Sequence, residues 1–257
     1  MFKTDNYKNK TVVITGGTKG IGLGITKAYL SLSANVIILA RNKPKKQIQV
    51  KGNKALFYQC NVRDNANVEE VINEVFKANK CIDVLINNAG GAPLINSLDA
   101  SMNFNNAIID LNLNSSFGVS YYVAKKMIKK SSGCVITNIS SVTATRPTPG
   151  SAAYGAAKGG LVNLTKTLAV EWAPRIRVNS IITGYIETEN SLIHYGSKKD
   201  MKAVAKTIPM KRMGTPEDIA NACIFLSSAN SSWITGTAIE VHGGGESPAY
   251  LNSAKPK

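Results

Sequence analysis

Thr11-Val12-Val13-Ile14-Thr15-Gly16-Gly17-Thr18-Lys19-Gly20-Ile21-Gly22 decides the fold of this 257-residue chain. Thr11–Thr15 is a short β-branched run, the composition of a buried parallel strand. It leads into glycines at 16, 17, 20 and 22, then into Ile25, Ala28, Tyr29 and Leu32 at helical spacing. Strand, tight glycine turn and helix start together make a phosphate cradle. The glycines let backbone approach a ligand closely, and the free N–H groups of the helix start attract negative charge. The spacing is T-G-x-x-x-G-x-G, with a wider gap after the first glycine than in G-x-G-x-x-G. Turns collect glycine for backbone reasons alone, so this stretch does not decide a function by itself.

Around it, apolar runs and helical patterns alternate along the whole chain, which argues for a parallel sheet covered by helices on both faces. Strands are expected at Thr11–Thr15, Val36–Ala40, Ala55–Cys60, Val84–Asn87, Cys134–Ile139, Val178–Ile182 and Ala238–Val241. Helices are expected at Ile21–Leu32, Asn67–Ala78, Phe104–Lys130, Ser151–Trp172, Ser191–Lys206 and Pro216–Ser227. Thr215, Pro216, Glu217 and Asp218 give the last helix a clear start signal. The expected fold is therefore one doubly wound Rossmann-type α/β domain over residues 1–257, with a seven-stranded parallel sheet. Ligands of such sheets bind outside the carboxyl ends of the strands.

Bulk properties exclude several classes. There is no repeat, low-complexity tract or apolar run of membrane-spanning length. Met1–Lys10 is polar and reaches the first strand at once, leaving no room for a secretory signal. Cys60, Cys81, Cys134 and Cys223 lack metal or redox spacing and read as reduced thiols of a cytoplasmic protein. His194 and His242 stand alone, so no metal is expected. The net charge of +15 is concentrated in lysines at 43–54, 125–130 and 198–211. With no nucleic-acid-binding motif beside it, this charge reads as solvated surface or as attraction for an anionic substrate or carrier.

Tyr154 and Lys158 are four residues apart in an expected helix and so share a face. An ammonium beside a phenol favours the phenolate, which would bring a tyrosine of ordinary pKa near 10 toward the working range of an acid–base group. Ser141 lies thirteen positions before Tyr154 at a strand end, where Ser140 is its rival.

With these residues on the page, the chain resembles the short-chain dehydrogenases/reductases over about residues 8–245, and within them the 3-oxoacyl-acyl-carrier-protein reductases. The resemblance implies hydride transfer between a nicotinamide dinucleotide and a carbonyl carbon. It selects Ser141 over Ser140 as the group that polarises the carbonyl oxygen. In the segment Asn112-Leu113…Phe117 it selects Asn112 over Asn114, to hold a water relaying protons to Lys158. Tyr154 becomes the proton donor, and Lys158 also a ligand of the nicotinamide ribose. The cofactor contacts it implies are Gly16, Thr18, Lys19, Gly20, Ile21, Gly22, Asn61, Val62, Asn88, Ala89, Gly90, Gly184, Ile186 and Thr188. Three places depart from the family: Asn61 stands for the usual Asp, Thr183-Gly184 for P-G, and Val241-His242-Gly243-Gly244 for V-D-G-G.

The second strand ends in Ala40-Arg41, without the carboxylate that receives a ribose 2′-OH. Arg41 could fork onto a 2′-phosphate with Lys19 beside it, so NADP(H) is the expected cofactor. The resemblance places substrate selection in a lobe at about 185–213 and in the loops after Gly90 and Ser141. Val142, Thr143, Tyr185, Leu192 and Ile193 would give a mixed, fairly apolar pocket. A small-molecule or carrier-bound carbonyl is the expected substrate, first a 3-oxoacyl thioester, with Lys125–Lys130 and Arg175 placed to steer an acidic carrier. A hydroxysteroid, polyol or xenobiotic carbonyl is the alternative, and a non-catalytic NADP(H) sensor a third. A homotetramer packed through Phe104–Lys130 and Ser151–Trp172 is carried over from the family.

Overall fold

Side chains of a strand alternate between its two faces, so a strand apolar at every position must be covered on both. The computed structural model describes residues 7–129 and 133–249. The leading residues 1–6, and Lys130 at the expected end of one helix, lie outside the described residues. The elements begin with β1 (Thr11–Thr15), α1 (Gly20–Ser31), β2 (Asn35–Ala40), β3 (Gln49–Val50), β4 (Asn53–Lys54) and β5 (Leu56–Gln59). Next come α2 (Asn65–Asn79), β6 (Val84–Asn87), α3 (Met102–Ile109), α4 (Ser115–Met127), β7 (Cys134–Ser141) and α5 (Ala152–Trp172). The remainder is β8 (Ile176–Thr183), α6 (Ser191–Tyr195), α7 (Lys198–Thr207), α8 (Pro216–Ser227) and β9 (Ala238–Val241).

As expected, the sheet has seven parallel strands; their order is β5-β2-β1-β6-β7-β8-β9. Its order reverses between β1 and β6, and the crevice at their carboxyl ends is the place where doubly wound sheets bind ligands. Val13, Ile37, Leu39, Leu85 and Ile136 face the layer of α2, α4 and α5. Val12, Ile14, Val36, Ile38 and Ile86 face the layer of α1 and α8. The second layer is pinned by Tyr29, fully buried, whose hydroxyl donates to Cys223 O at 3.1 Å and meets Ser227 Oγ at 2.7 Å.

Two expected helices are each divided, and both breaks have a local cause. Phe104–Lys130 is α3 and α4 joined by one π-helical turn, Asp110–Asn114. Asn112 Nδ2 donates to Ile108 O, and Ser115 Oγ to Leu111 O, so side chains compete for carbonyls of the helix ladder there. Ser191–Lys206 is α6 and α7. Gly196 takes φ +84°, and Ser197 with Asp200 forms a capping box that starts a new helix. The short hairpin β3–β4 was not expected. Its two-residue turn places both Lys51 and Gly52 at positive φ, 48° and 83°, the pattern of a type I′ turn.

The junction of α1 and α8 is close enough to exclude a methyl group. A Cβ on Gly24 would lie 2.3 Å from Pro216 Cβ. Gly24→Ala gains up to ~1 kcal/mol of helix propensity but overpacks this contact by ~1–3 kcal/mol. The expected result is a melting temperature several degrees lower in a thermal unfolding scan. An unchanged or higher value would refute the close contact.

Candidate active site

The glycine turn follows β1 and is shaped by three close approaches. Gly16 sits at φ +67°, and its N–H donates to Leu39 O at 2.8 Å. A Cβ on Gly22 would lie 2.3 Å from Gly16 O and 2.5 Å from Asn88 Nδ2. Thr26 Oγ1 closes the turn by donating to Gly17 O at 3.0 Å. Lys19, the residue before α1, makes no side-chain cap. Instead the first helical N–H, that of Gly20, donates to both carboxylate oxygens of Glu189, at 2.9 and 3.2 Å. An acidic group drawn from a distant segment thus rests at the positive end of α1. The same N–H groups suit a phosphate, and the turn around them fits a dinucleotide's diphosphate.

Asn88 ties this turn to the neighbouring strand. Its Nδ2 donates to Thr15 O at 3.0 Å and Gly16 O at 3.3 Å. Thr15 Oγ1 accepts in turn from the N–H groups of Asn88 and Ala89, both at 3.0 Å. Gly90 comes next, and a Cβ there would stand 2.6 Å from Asn112 Oδ1 and 3.3 Å from Lys158 Nζ. Asn112 is fully buried in the π-helical turn. It accepts from Gly91 N at 2.8 Å and donates to Gly91 O at 3.0 Å, locking the loop after β6.

Ser140 and Ser141 separate by their partners. Ser140 Oγ donates to Lys158 O at 3.1 Å and serves the packing of α5. Ser141 Oγ accepts from Thr143 N at 3.3 Å, and its hydroxyl lies near enough to the Tyr154 phenol to act on its pKa. Burial raises the Tyr154 pKa above the ordinary 10, and Ser141 partly opposes it. Lys158 is buried, and burial lowers it from 10.5 to about 8. Its Nζ donates to Ile139 O at 2.8 Å and lies 5.6 Å from the Tyr154 ring centroid. The expected effect of the lysine, a lowered phenol pKa, is therefore not what the protein's own groups produce: desolvation governs both residues.

Asn112, Ser141, Tyr154 and Lys158 thus converge beside Gly90, at the carboxyl edge of β6 and β7. Of the other expected positions, Arg41 and Lys19 are exposed at the same edge, after β2 and β1. Thr18 and Ile21, half-buried, flank the glycine turn. Asn61 Oδ1 accepts from Arg63 N at 3.3 Å, which makes a local turn after β5, and Val62 is buried in the core. Gly184 is wedged against His242, whose Cβ would be 2.6 Å from a Cβ at 184, so the departures at 183–184 and 242 meet in space. Ile186 is buried, and Thr188 overhangs Gly20, its Cγ2 3.5 Å from where a Cβ of Gly20 would be.

A shallow depression, open to solvent, lies beside Tyr154 and is lined by Pro93, Ile95, Phe104 and Ile108. Of the expected pocket residues, Leu192 and Ile193 stand exposed, and Tyr185 contacts Tyr195 edge-on. Sequence reasoning missed Glu189 and Tyr195. Neither belongs to a motif of fixed spacing. Among the described residues, no three His, Cys, Asp or Glu side chains converge as a metal site.

A family model described as enoyl-(acyl carrier protein) reductase matches residues 16–246. The chain is similar to the 3-oxoacyl-[acyl-carrier-protein] reductase FabG of Chlamydia pneumoniae, 36% identical over 242 residues that cover 91% of this chain and 96% of that protein. It is similar to the oxidoreductase UcpA of Salmonella typhimurium, 35% identical over 255 residues, covering 95% and 97%. Among solved structures it is similar to the ligand-free aldohexose dehydrogenase of Thermoplasma acidophilum, with a TM-score of 0.86, 31% identity, and 98% and 97% of the two chains covered. Likeness over nearly the whole length, on a sheet whose crevice carries the glycine turn, makes this chain a member of the short-chain dehydrogenase/reductase family, an oxidoreductase acting on carbonyl and CH–OH groups.

Proposed function

We propose that the chain is an NADP(H)-dependent oxidoreductase that interconverts a carbonyl and a secondary alcohol, with a 3-oxoacyl thioester as its substrate class. The observation that carries this reading is the convergence of Ser141, Tyr154, Lys158 and Asn112 at the edge of the cradle. When bound there, the nicotinamide ring supplies or accepts the hydride. Tyr154 gives its phenolic proton to the carbonyl oxygen in reduction and takes it back in oxidation. Ser141, beside that phenol, holds the oxygen in line. Lys158, anchored on Ile139 O, places an ammonium by the ring and orients the ribose. Asn112 fixes Gly91 and leaves room for Gly90 beside both. Gly16–Gly22 hold the diphosphate, Asn61 to Val62 and Asn88 to Gly90 the adenosine side, and Gly184, Ile186 and Thr188 the nicotinamide side. Arg41 and Lys19 receive the 2′-phosphate.

Residues 185–213 act as the substrate lobe of one dinucleotide-binding domain. Likeness to a 3-oxoacyl-carrier reductase supports the thioester class, and likeness to an aldohexose dehydrogenase supports a sugar or polyol as the second reading. A homotetramer is supported by the exposed Phe117 and Tyr121 of α4 and Val170 of α5. A cytoplasmic location accords with four free cysteines. No helix among the described residues is long and apolar enough to cross a membrane.

NADPH oxidation, followed by absorbance, tests the reaction with acetoacetyl-CoA, a 3-oxoacyl carrier protein, an aldohexose and a ketosteroid. Wild type turns over the thioesters fastest, and Tyr154→Phe loses roughly 10²–10⁴-fold in rate. Undiminished turnover in Tyr154→Phe would sink its role, and a faster sugar would move the substrate to the second class. Arg41→Asp weakens NADPH by about 10–100-fold, the loss of one charge-assisted contact, while NADH is little changed. Equal losses for both cofactors would overturn the preference. Lys158 also sets a pH signature on stability. Its folded pKa of about 8 lies below 10.5, so between these values the unfolded chain binds a proton that the folded chain does not. The Lys158 contribution to stability therefore rises with pH across that window, by about 3 kcal/mol in all, and below it the burial penalty is constant. Urea unfolding at several pH values should show wild type gaining stability relative to Lys158→Met across this window. Parallel curves for the two proteins would contradict it.

A further inference from the structure

Three segments far apart in sequence meet beyond Tyr154. Arg146 lies in the loop after β7, Tyr185 follows β8, and Glu246 lies past β9. Arg146 Nη2 donates to Tyr185 Oη at 2.9 Å and to Glu246 Oε1 at 2.7 Å, and Tyr185 Oη donates to the same carboxylate. Arg146 Nη1 donates to Pro147 O at 3.2 Å and Thr148 Oγ1 at 3.0 Å. Its guanidinium carbon is 5.9 Å from the centre of the Tyr185 ring, and that ring meets Tyr195 edge-on at 5.8 Å. Tyr195 lies within electrostatic reach of Tyr185 and Tyr154: burial, then these two neighbours, push its phenol up to about 12. Arg146 lies in the loop that runs from Ser141 to α5, and Tyr185 follows Thr183, the register partner of Ser141, so the row of Tyr195, Tyr185 and the guanidinium–carboxylate pair, 31% and 32% exposed, borders the site.

The charges on this row matter more than its hydrogen bonds. The other acceptors around Arg146 are neutral, so Glu246 is the group that cancels its charge. An unpaired guanidinium at the rim of a carbonyl site would present its fork to any substrate carboxylate. Paired as it is, the rim offers such a substrate a neutral cluster and a competing carboxylate already in place. We infer that Glu246 is a specificity-determining residue: by neutralising Arg146 it restricts the enzyme to carbonyl compounds whose neighbouring group is uncharged, an ester or thioester, and disfavours the corresponding oxo acid. This rests on the reading of Tyr154 as the proton donor, and it divides one substrate class by charge.

Methyl acetoacetate and acetoacetate form a matched pair that differs in that charge. Wild type should prefer the ester. Glu246→Gln should raise kcat/KM for acetoacetate relative to the ester at least tenfold, and Arg146→Met added to it should remove the gain. Glu171→Gln, which deletes a carboxylate from the exposed end of α5, should leave the ratio within twofold and so control for net charge. Calorimetric titration of acetoacetate into the NADP⁺-bound enzyme needs no turnover, and should show about tenfold tighter binding to Glu246→Gln. If Glu246→Gln binds acetoacetate no more tightly than wild type does, the inference is overturned whether or not either protein is active. If binding tightens as expected but neither ketone is reduced, the selectivity role stands and the hydride-transfer reading fails.

Discussion

Much of the molecule depends on one side-chain amide. Asn88 Nδ2 bonds the carbonyls of Thr15 and Gly16, where the chain leaves β1 and where the sheet order reverses. Gly22 carries no Cβ, and a Cβ there would collide with both Gly16 O and Asn88 Nδ2. The amide, the turn and the start of α1 therefore occupy one small volume that no larger residue at 22 would leave intact. This packing aims the N–H groups of α1 into the crevice between the two halves of the sheet. Glu189 shows the electrostatic consequence, since a carboxylate from a remote segment settles on the first of those groups.

A second constraint is polar and buried. Asn87 and Asn138 face each other in register across β6 and β7, with Asn87 Nδ2 on Asn138 Oδ1 at 2.8 Å. Asn87 also donates to Ser120 Oγ at 2.7 Å, and Asn138 to Thr165 Oγ1 at 2.9 Å, so the chain of bonds reaches from α4 through the sheet to α5. Such groups are costly to bury singly and are stabilised by the bonds they make to one another; Asn87 Oδ1, buried in the same network, accepts none. Their geometry fixes the sheet edge against the helix that carries Tyr154 and Lys158. That helix in turn decides protonation. Burial, more than any neighbouring charge, sets both residues, so the lysine's influence on the phenol depends on how the site is filled rather than on their spacing alone.

The fold was legible because its signals are local. Each strand of the main sheet is a short apolar run, and the glycine turn and Thr215–Asp218 mark helix starts by type and position. The elements that were misread are those where a side chain overrules periodicity. Asn112 sits at an acceptable helical position, yet its amide takes the Ile108 carbonyl and both polar groups of Gly91, producing a π-helical turn from an even pattern. The break at Gly196-Ser197-x-x-Asp200 is written in the sequence as a capping box, which the expectation of one helix over Ser191–Lys206 ran through. Within the site, the choice of Ser141 over Ser140 came from the family resemblance, and the two hydroxyls differ in their partners: Ser140 Oγ donates to Lys158 O and Ser141 Oγ accepts from Thr143 N.

The same contrast explains why the reaction class could be read and the substrate could not. Ser141, Tyr154, Lys158 and Asn112 each lie within a turn or two of a strand end or on a single helix, so fixed spacing in sequence becomes fixed geometry in space. The rim beyond them is assembled from loops, and Arg146 meets Glu246 across 100 residues of sequence. No periodicity or motif records such a pairing. The sign of the charge that a substrate meets there is a property of two distant residues at once. Reading either alone gives the wrong answer: Arg146 by itself suggests a site for an oxo acid, and Glu246 by itself suggests a repulsive edge, whereas the pair presents neither.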